Sequence, residues 1–273
     1  MTVFTEYRDV QVSVDPHSES VTVSLRLPAS ALDAWRAITD PPQVRRWFGT
    51  LWGTLSVGAT PRLDFGDGDF FGLVVRRLEP PHLVEYDWRF LGIAPPSTIR
   101  WTVRALDDVE SEVSVTDRQP GRDRAETLEL AGGWADFCTR LGRFVSTGAW
   151  SRYPWRDEIE ASIVVAAPLD ATTSLLDDSE SWLPSFAPSM QVLDSGRVSR
   201  ELLKLAIGRA EWETSTDATV RIRARNGETL LSAQHRGFRR LPIDEGAQRR
   251  VRQAAVGQWI RALEEGAARA SVG

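Results

Sequence analysis

VTVSLRLPASALDAWRAITDPPQVRRWFG, residues 21–49, is the stretch that decides the fold. Apolar and polar residues alternate from 21 to 27, which predicts a strand with one buried face. Pro28 and Ser30 are typical of a helix start, and Asp40 followed by two prolines predicts the helix end, because proline lacks a backbone N–H. The stretch therefore predicts a strand, a helix, a turn and a short helix with an aromatic tip.

A weaker copy of this stretch begins at residue 159 and reads IEASIVVAAPLDATTSLLDDSESWLPSF. Pro28 matches Pro168 and Trp47 matches Trp182, and the spacing between the two landmarks is five residues shorter in the second copy (19 against 14). Solenoid units repeat every roughly 20–50 residues. The much longer interval seen here indicates a duplicated domain.

Each half continues with strands of alternating polarity and closes with one long helix that carries an apolar stripe. The long helices are expected at about residues 124–145 and 244–268. The acidic, glycine-rich stretch FGDGDF at 65–70 predicts a hairpin turn between two strands. We therefore expect an α+β chain with two tandem domains, at residues 1–148 and 157–273, each with an antiparallel sheet and a long C-terminal helix.

The composition is that of an ordinary globular protein, with 42% apolar and 26% charged residues in a chain of 273. A net charge of −5 gives no reason to expect a nucleic-acid or membrane partner. The sequence shows no basic, apolar leader and no apolar run near the roughly 18 residues of a membrane helix, so a cytoplasmic location is expected. The single cysteine, Cys138, excludes a disulfide within the chain, and a buried hydrophobic role is preferred for it.

Common catalytic and cofactor motifs do not occur in the sequence. His17, His82 and His235 lack metal-ligand spacing, and no HExxH, GxSxG, P-loop or GxGxxG pattern is present. The sequence therefore contains no motif that indicates a metalloprotease, a nucleophile-elbow hydrolase or a nucleotide-binding enzyme. No metal or cofactor is therefore expected.

Several short motifs of the first half resemble a known superfamily. They are Pro28-Ala29, Ala34-Trp35, Thr39-Asp40-Pro41, Arg46-Trp47-Phe48-Gly49, the Leu83–Trp88 strand and Gly133-Trp134. Over residues 20–146 they resemble the START-like (SRPBCC, Bet v 1-type helix-grip) superfamily, most closely its heat-shock-protein-90 ATPase activator homologue-like group. The resemblance of the second half rests mainly on the repeat. The resemblance to this superfamily implies two tandem helix-grip domains. Each would be a curved antiparallel sheet wrapped around its C-terminal helix, with a cavity for a hydrophobic ligand.

Aromatic residues are the main candidates for lining the first cavity. By strand alternation Tyr86, Trp88 and Trp101 point toward the long helix, from which Trp134 faces them. Such rings suit a flat, mostly apolar ligand, and a filled core is the alternative interpretation. The candidate ligand-binding residues are Trp47, Phe48, Trp52, Tyr86, Trp88, Trp101, Asp117 and Trp134, with the first three near the cavity mouth.

Acid–base candidates are few. Asp117 has the same parity as Val113 and Val115, so it is a candidate to enter the cavity and act as a base or pair with an arginine. A solvated strand end is nevertheless the preferred interpretation of Asp117. His235 has the parity of a cavity-facing residue in the second half, but a hydrogen-bonded core histidine is preferred. No catalytic residue is assigned.

Three functions stay open at this point. The preferred one is a non-catalytic protein that binds a bulky hydrophobic or aromatic, polyketide-like small molecule in the first domain, as a carrier or as a sequestering self-resistance protein. The second domain is then structural or forms a homodimer. The first alternative is an enzyme of the polyketide aromatase/cyclase type, which can work through shape and one acid–base pair. The second alternative is a co-chaperone-like protein-interaction module.

Overall fold

The computed structural model describes residues 10–15 and 19–271, which divide into two compact units. The first unit contains the described chain up to Gly66 together with Phe70–Arg89 and Pro96–Pro154. The second unit contains Asp67–Asp69, Phe90–Pro95 and the chain from Trp155 onward. Each unit has a sheet and a long helix, which confirms the α+β class and the tandem arrangement.

The first unit has eight strands and three helices in the part of the chain that the structure describes. In chain order these are β1 (Val10–Asp15), β2 (Ser20–Leu27), α1 (Ala31–Thr39), α2 (Pro41–Trp47), β3 (Thr50–Trp52), β4 (Arg62–Asp64), β5 (Phe70–Glu79), β6 (Leu83–Phe90), β7 (Ser97–Ala105), β8 (Ser111–Arg118) and α3 (Arg124–Thr147). The strands form one sheet in the order β1-β2-β8-β7-β6-β5-β4-β3. Helix α3 packs against β2 and β1, as the helix-grip architecture requires.

Local sequence signals explain the two short helices that follow β2. The Ser30 hydroxyl caps α1 by accepting the backbone N–H of Asp33 at 3.2 Å. Pro41 is the first residue of α2, where its missing N–H costs no helical hydrogen bond. Trp47 ends α2 and donates its indole N–H to the carbonyl oxygen of Ala37 in α1 at 2.8 Å. This bond fixes α2 against α1 and so positions the aromatic tip that the sequence predicted.

The second unit repeats this plan with fewer strands. Its elements are β9 (Ile159–Val165), α4 (Leu169–Thr172), two short 3-10 helices (Thr173–Leu176 and Ser179–Ser181), β10 (Gln191–Ser199), β11 (Leu202–Gly208), β12 (Thr216–Arg225), β13 (Glu228–Arg236), a third 3-10 helix (Phe238–Arg240) and α5 (Glu245–Ala270). The sheet order is β10-β11-β12-β13-β9. The last strand therefore lies beside the first, just as β8 lies beside β2.

The matched tryptophans of the two copies make the same contact. Trp182 donates its indole N–H to the carbonyl oxygen of Leu175 at 2.8 Å, as Trp47 does to Ala37. Leu175 lies in the 3-10 helix that directly follows α4, whereas Ala37 lies in α1 itself. The duplication inferred from the sequence is therefore visible in hydrogen bonding as well as in element order.

Residues 149–154, between the two expected domains, pack on the first unit. Ser151 donates its backbone N–H to the Arg46 carbonyl at 2.9 Å and its hydroxyl to the Arg140 carbonyl at 2.8 Å. Its side chain and backbone are almost entirely buried. Ser151 therefore fixes this segment to α2 and α3.

Candidate functional site

Aromatic rings lie between the sheet of the first unit and α3. We call this group the aromatic cluster, and its members are Trp47, Phe48, Phe65, Phe71, Tyr86, Trp88, Trp101, Trp134 and Phe137. Trp88 lies at its centre, stacked on Phe71 with centroids 3.8 Å apart and on Trp134 with centroids 5.3 Å apart. Phe48 links these rings to Phe137 of α3 at 4.6 Å. The result is a continuous set of parallel and edge-on rings.

The structure brings seven of the eight candidate ligand residues together. Six are members of the aromatic cluster, and Asp117 is hydrogen-bonded to one of them, Trp134. Trp52 lies apart, with 63% of its surface exposed. Its neighbour Leu51 is the buried residue of β3, and strand alternation therefore turns Trp52 outward.

The indole N–H groups of Trp101 and Trp134 form hydrogen bonds within the protein. Trp101 donates its indole N–H to the Tyr86 hydroxyl at 3.0 Å, and Trp134 donates to Asp117 Oδ2 at 3.0 Å. Burial raises the pKa of Tyr86, so its phenol is neutral at physiological pH. The cluster thus contains no charged side chain, and the charged residue that borders it is Asp117.

Asp117 is a buried ion-pair member, and its preferred interpretation as a solvated strand end is wrong. The residue is 1% exposed because β8 is still paired at this position, with Val21 of β2 on one side and Ile99 of β7 on the other. Its Oδ1 accepts from Arg122 Nη2 at 2.9 Å, while Oδ2 accepts from Trp134. Burial raises the pKa of Asp117, and the Arg122 charge and the indole N–H oppose that rise.

Arg122 completes a polar network that the sequence analysis missed. Its Nη2 also donates to Ser97 Oγ at 3.0 Å and to Gln119 Oε1 at 2.8 Å, and its side chain is 6% exposed. Among the residues that the structure describes, Arg122 Nη1 is buried and has no hydrogen-bond partner. Arg122 lies in the loop between β8 and α3, outside any periodic pattern, so the sequence carried no signal for its burial.

The second unit has a histidine at the corresponding place. Trp259 of α5 donates its indole N–H to His235 Nδ1 at 3.1 Å, and His235 Nε2 lies 2.7 Å from the Thr216 hydroxyl. That hydroxyl donates to the Ile207 carbonyl at 2.8 Å, so Nε2 carries the imidazole proton and donates it to Thr216. The expected hydrogen-bonded core histidine is confirmed.

Asp117 and His235 therefore have the same structural role. Asp117 lies on β8 and is paired with Val21 near the start of β2, while His235 lies on β13 and is paired with Ile159 at the start of β9. Each accepts the indole N–H of a tryptophan on the long helix. The two copies differ in chemistry, since one acceptor is a carboxylate in an ion pair and the other is a neutral imidazole.

Comparison with known proteins agrees with this architecture. The family model described as "Activator of Hsp90 ATPase homolog 1-like protein" matches residues 28–146. A second match is the crystal structure of DynU16, "a putative protein in the dynemicin biosynthetic locus". Its sequence is 30% identical to this one, and the match covers 92% of this chain and 99% of DynU16 with a TM-score of 0.80. The chain belongs to the START-like helix-grip superfamily.

Two other solved structures match about half of this helix-grip protein. CalU16 from Micromonospora echinospora is 20% identical over 53% of this chain and 80% of its own, with a TM-score of 0.40. The Aha1 dimer from Colwellia psychrerythraea is 19% identical over 47% of this chain and 97% of its own, with a TM-score of 0.41. A search of curated proteins found no significant match.

The cysteine and the two remaining histidines of this helix-grip protein do not belong to the aromatic cluster. Cys138 is buried in α3, and burial raises the pKa of its thiol to about 12. His82 is exposed, and His17 lies outside the described residues. Over residues 10–15 and 19–271, no group of three or more His, Cys, Asp or Glu side chains could hold a metal ion, and no helix is long and apolar enough to cross a membrane.

The buried imidazole predicts a loss of stability in mild acid. Burial, aided by the Arg252 charge, lowers the pKa of His235 to about 3. An unfolded histidine has a pKa near 6.5, so below that pH the unfolded chain binds a proton that the folded chain does not. The free energy of unfolding should therefore fall by about 1.4 kcal/mol per pH unit between these two pKa values, or about 2 kcal/mol between pH 7.5 and pH 5.

Urea unfolding followed by circular dichroism near pH 7.5 and near pH 5 measures this loss. In His235→Gln the difference between the two pH values should shrink by about 2 kcal/mol. His82→Gln is the matched control, because His82 is exposed and should leave the difference unchanged. Equal pH dependence in wild type and His235→Gln would contradict the assignment.

Proposed function

We propose that this helix-grip protein binds a bulky, mostly apolar aromatic small molecule, of polyketide-like type, in its first unit and acts as a carrier or a sequestering self-resistance protein. The aromatic cluster carries the proposal. The stacking of Phe71 and Trp134 on Trp88 makes this region a packed aromatic environment of the kind that suits a ligand with its own ring system. The buried Asp117–Arg122 pair at the border of the cluster supplies the few polar contacts that orient such a ligand.

The relationship to DynU16 supports a natural-product setting. That protein is described by its place in the dynemicin biosynthetic locus, and the similarity extends over nearly its whole length. We infer from this relationship that the ligand of the present protein is an intermediate or a product of a biosynthetic pathway. An aromatic ligand of this kind matches the aromatic character of the cluster.

The second unit is a weaker candidate for the ligand. Its central polar chain, from Trp259 through His235 to Thr216, ends on a backbone carbonyl with every donor used. Phe186 and Phe238 pack edge-on or tilted against the imidazole and leave it fully buried. These contacts support a structural role for the second unit.

A cyclase-type enzyme is the second candidate, and one observation favours it. Burial raises the pKa of Asp117, which moves a carboxylate toward the range in which a general base works best. However, both carboxylate oxygens already accept N–H groups, from Arg122 and from Trp134. A base in this position would have to break one of these bonds, which favours binding over proton transfer.

A dye titration tests the proposed binding. N-phenyl-1-naphthylamine is a neutral aromatic probe whose fluorescence rises in apolar surroundings, and we expect saturable binding of one molecule per chain. Trp88→Leu should weaken the binding about tenfold, because it removes the central ring on which Phe71 and Trp134 stack. Trp52→Leu is the matched control and should bind as wild type does, since Trp52 is exposed. Circular dichroism and urea unfolding must first show that both variants fold.

A filled aromatic core predicts the opposite result, with no saturable fluorescence change in any variant. That outcome would remove the ligand-binding proposal and leave the protein-interaction alternative.

Native mass spectrometry of the purified chain distinguishes a binding protein from an enzyme. An aromatic molecule released unchanged on denaturation supports the binder, whereas a substrate recovered in cyclised form supports the enzyme.

A further inference from the structure

The two units differ at the residue that accepts the indole N–H of the long-helix tryptophan. In one unit a neighbouring N–H donor has no acceptor in the part of the chain that the structure describes. In the second unit, the chain from Trp259 through His235 to Thr216 and the Ile207 carbonyl leaves no donor over. In the first unit, the corresponding acceptor is Asp117, and its partner Arg122 keeps a donor group that is not used. At the tryptophan acceptor, the first unit is therefore the one with a donor left over. Nearer the start of α5 than Trp259, Arg252 Nε of the second unit is also buried without a partner among the residues that the structure describes.

The hydrogen bonds of Arg122 show where the gap lies. One terminal nitrogen, Nη2, serves Asp117, Ser97 and Gln119 at 2.8–3.0 Å. The other, Nη1, is buried and has no partner among the described residues. A buried N–H without an acceptor is unfavourable, so the site is completed when an acceptor atom reaches Nη1. The acceptor has to come from outside the described side chains and backbone.

The local charge balance selects the kind of acceptor. The guanidinium charge of Arg122 is already neutralised by Asp117, and its other two partners, Ser97 and Gln119, are uncharged. A carboxylate or phosphate on Nη1 would place a second negative charge in a buried site that has one cation, which is unfavourable. A neutral oxygen completes the hydrogen bonds without that penalty.

The Asp117–Arg122 pair borders the aromatic cluster through Trp134. Asp117 accepts on one oxygen from Arg122 and on the other from Trp134, which stacks on Trp88. We propose that the ligand is a polycyclic aromatic ketone or quinone whose neutral carbonyl oxygen accepts a hydrogen bond from Arg122 Nη1. The inference rests on the proposed function and adds the chemical class of the ligand.

Three tricyclic probes that differ in one substituent test the inference by displacement of N-phenyl-1-naphthylamine. Fluorene has no oxygen, 9-fluorenone has one neutral carbonyl, and 9-fluorenecarboxylate has an anionic group. Wild type should bind 9-fluorenone about tenfold more tightly than fluorene, because a hydrogen bond to a charged donor outweighs the greater hydrophobicity of fluorene. The carboxylate should bind more weakly than the ketone. This comparison needs no variant.

Arg122→Lys is the matched variant, because lysine keeps the positive charge opposite Asp117 but lacks the second arm of the guanidinium. It should lose the preference for 9-fluorenone while its affinity for fluorene stays unchanged. Arg118→Lys, an exposed substitution on β8, should keep the preference. An unchanged affinity for fluorene distinguishes loss of the carbonyl contact from general damage to the fold.

The outcomes separate this inference from the proposed function. Equal affinity of wild type for fluorene and 9-fluorenone would show that the carbonyl oxygen makes no favourable contact, and would overturn the inference while leaving the binding function. Tightest binding of the carboxylate would replace the neutral carbonyl with an anion. If neither the dye nor any tricyclic probe binds, both the inference and the proposed function fail.

Discussion

Replacing Asp117 with alanine should lower the free energy of unfolding by about 3–5 kcal/mol, as is typical when one partner of a buried ion pair is removed. The change leaves the Arg122 guanidinium, which is 6% exposed, without its counter-charge. It also leaves the indole N–H of Trp134 without an acceptor in the core. Urea denaturation of the full chain at neutral pH, followed by circular dichroism, measures the loss.

Glu112→Ala on the same strand is the control for this prediction. Glu112 pairs with Arg104 at 2.9 Å, but the two side chains are 29% and 63% exposed. An exposed pair contributes about 0–1 kcal/mol, so this variant should unfold almost as wild type does. Asp117→Asn keeps an oxygen for Trp134 but loses the charge, and its stability should fall between the two alanine variants. Similar losses in both alanine variants would contradict the ion-pair argument.

Arg252→Ala should have a comparable effect on the second unit, with a loss of about 3–5 kcal/mol. Arg252 of α5 is fully buried and donates to Asp69 Oδ2 at 2.8 Å and to the Asp67 carbonyl at 2.7 Å. Asp67 and Asp69 are themselves 2% and 0% exposed. Removing the guanidinium leaves two buried carboxylates with Arg156 as the remaining cation that bonds Asp69.

Arg249→Ala lies one turn earlier on the same helix and serves as the comparison. Arg249 is 46% exposed and its contact with Glu245 is 3.5 Å long, so its loss should change the free energy of unfolding by less than about 0.5 kcal/mol. Urea unfolding of both variants in parallel gives the difference. If Arg252→Ala were as mild as Arg249→Ala, the buried cluster would not stabilise the fold.

The regular elements and the repeat could be predicted because they depend on patterns within a short stretch of chain. Strand alternation placed Tyr86, Trp88 and Trp101 on the face that packs against α3, and helical spacing placed Trp134 opposite them. The same landmarks, Pro28 and Pro168, marked the start of both copies. Periodicity of two or of about 3.6 residues is a local property, and here it agreed with the tertiary structure.

The buried charges could not be predicted because their partners are distant in the sequence or lie in irregular segments. Asp69 and Arg252 are 183 residues apart, and Asp69 belongs to a stretch that correctly predicted a turn but gave no sign that its acids are buried. Asp117 was at the end of a strand pattern, where solvation is the usual outcome. In each case the missing information was the identity of the opposite charge.

The shared contact of Trp134 and Trp259 has a consequence for how the two copies could diverge. An indole N–H requires only a lone pair opposite it, and either the carboxylate of Asp117 or the imidazole of His235 supplies one. Aspartate and histidine codons differ at a single nucleotide. One mutation can therefore change the charge at this position while the bond between strand and helix persists, so neither copy had to pass through an ancestor in which its long helix was detached from its sheet.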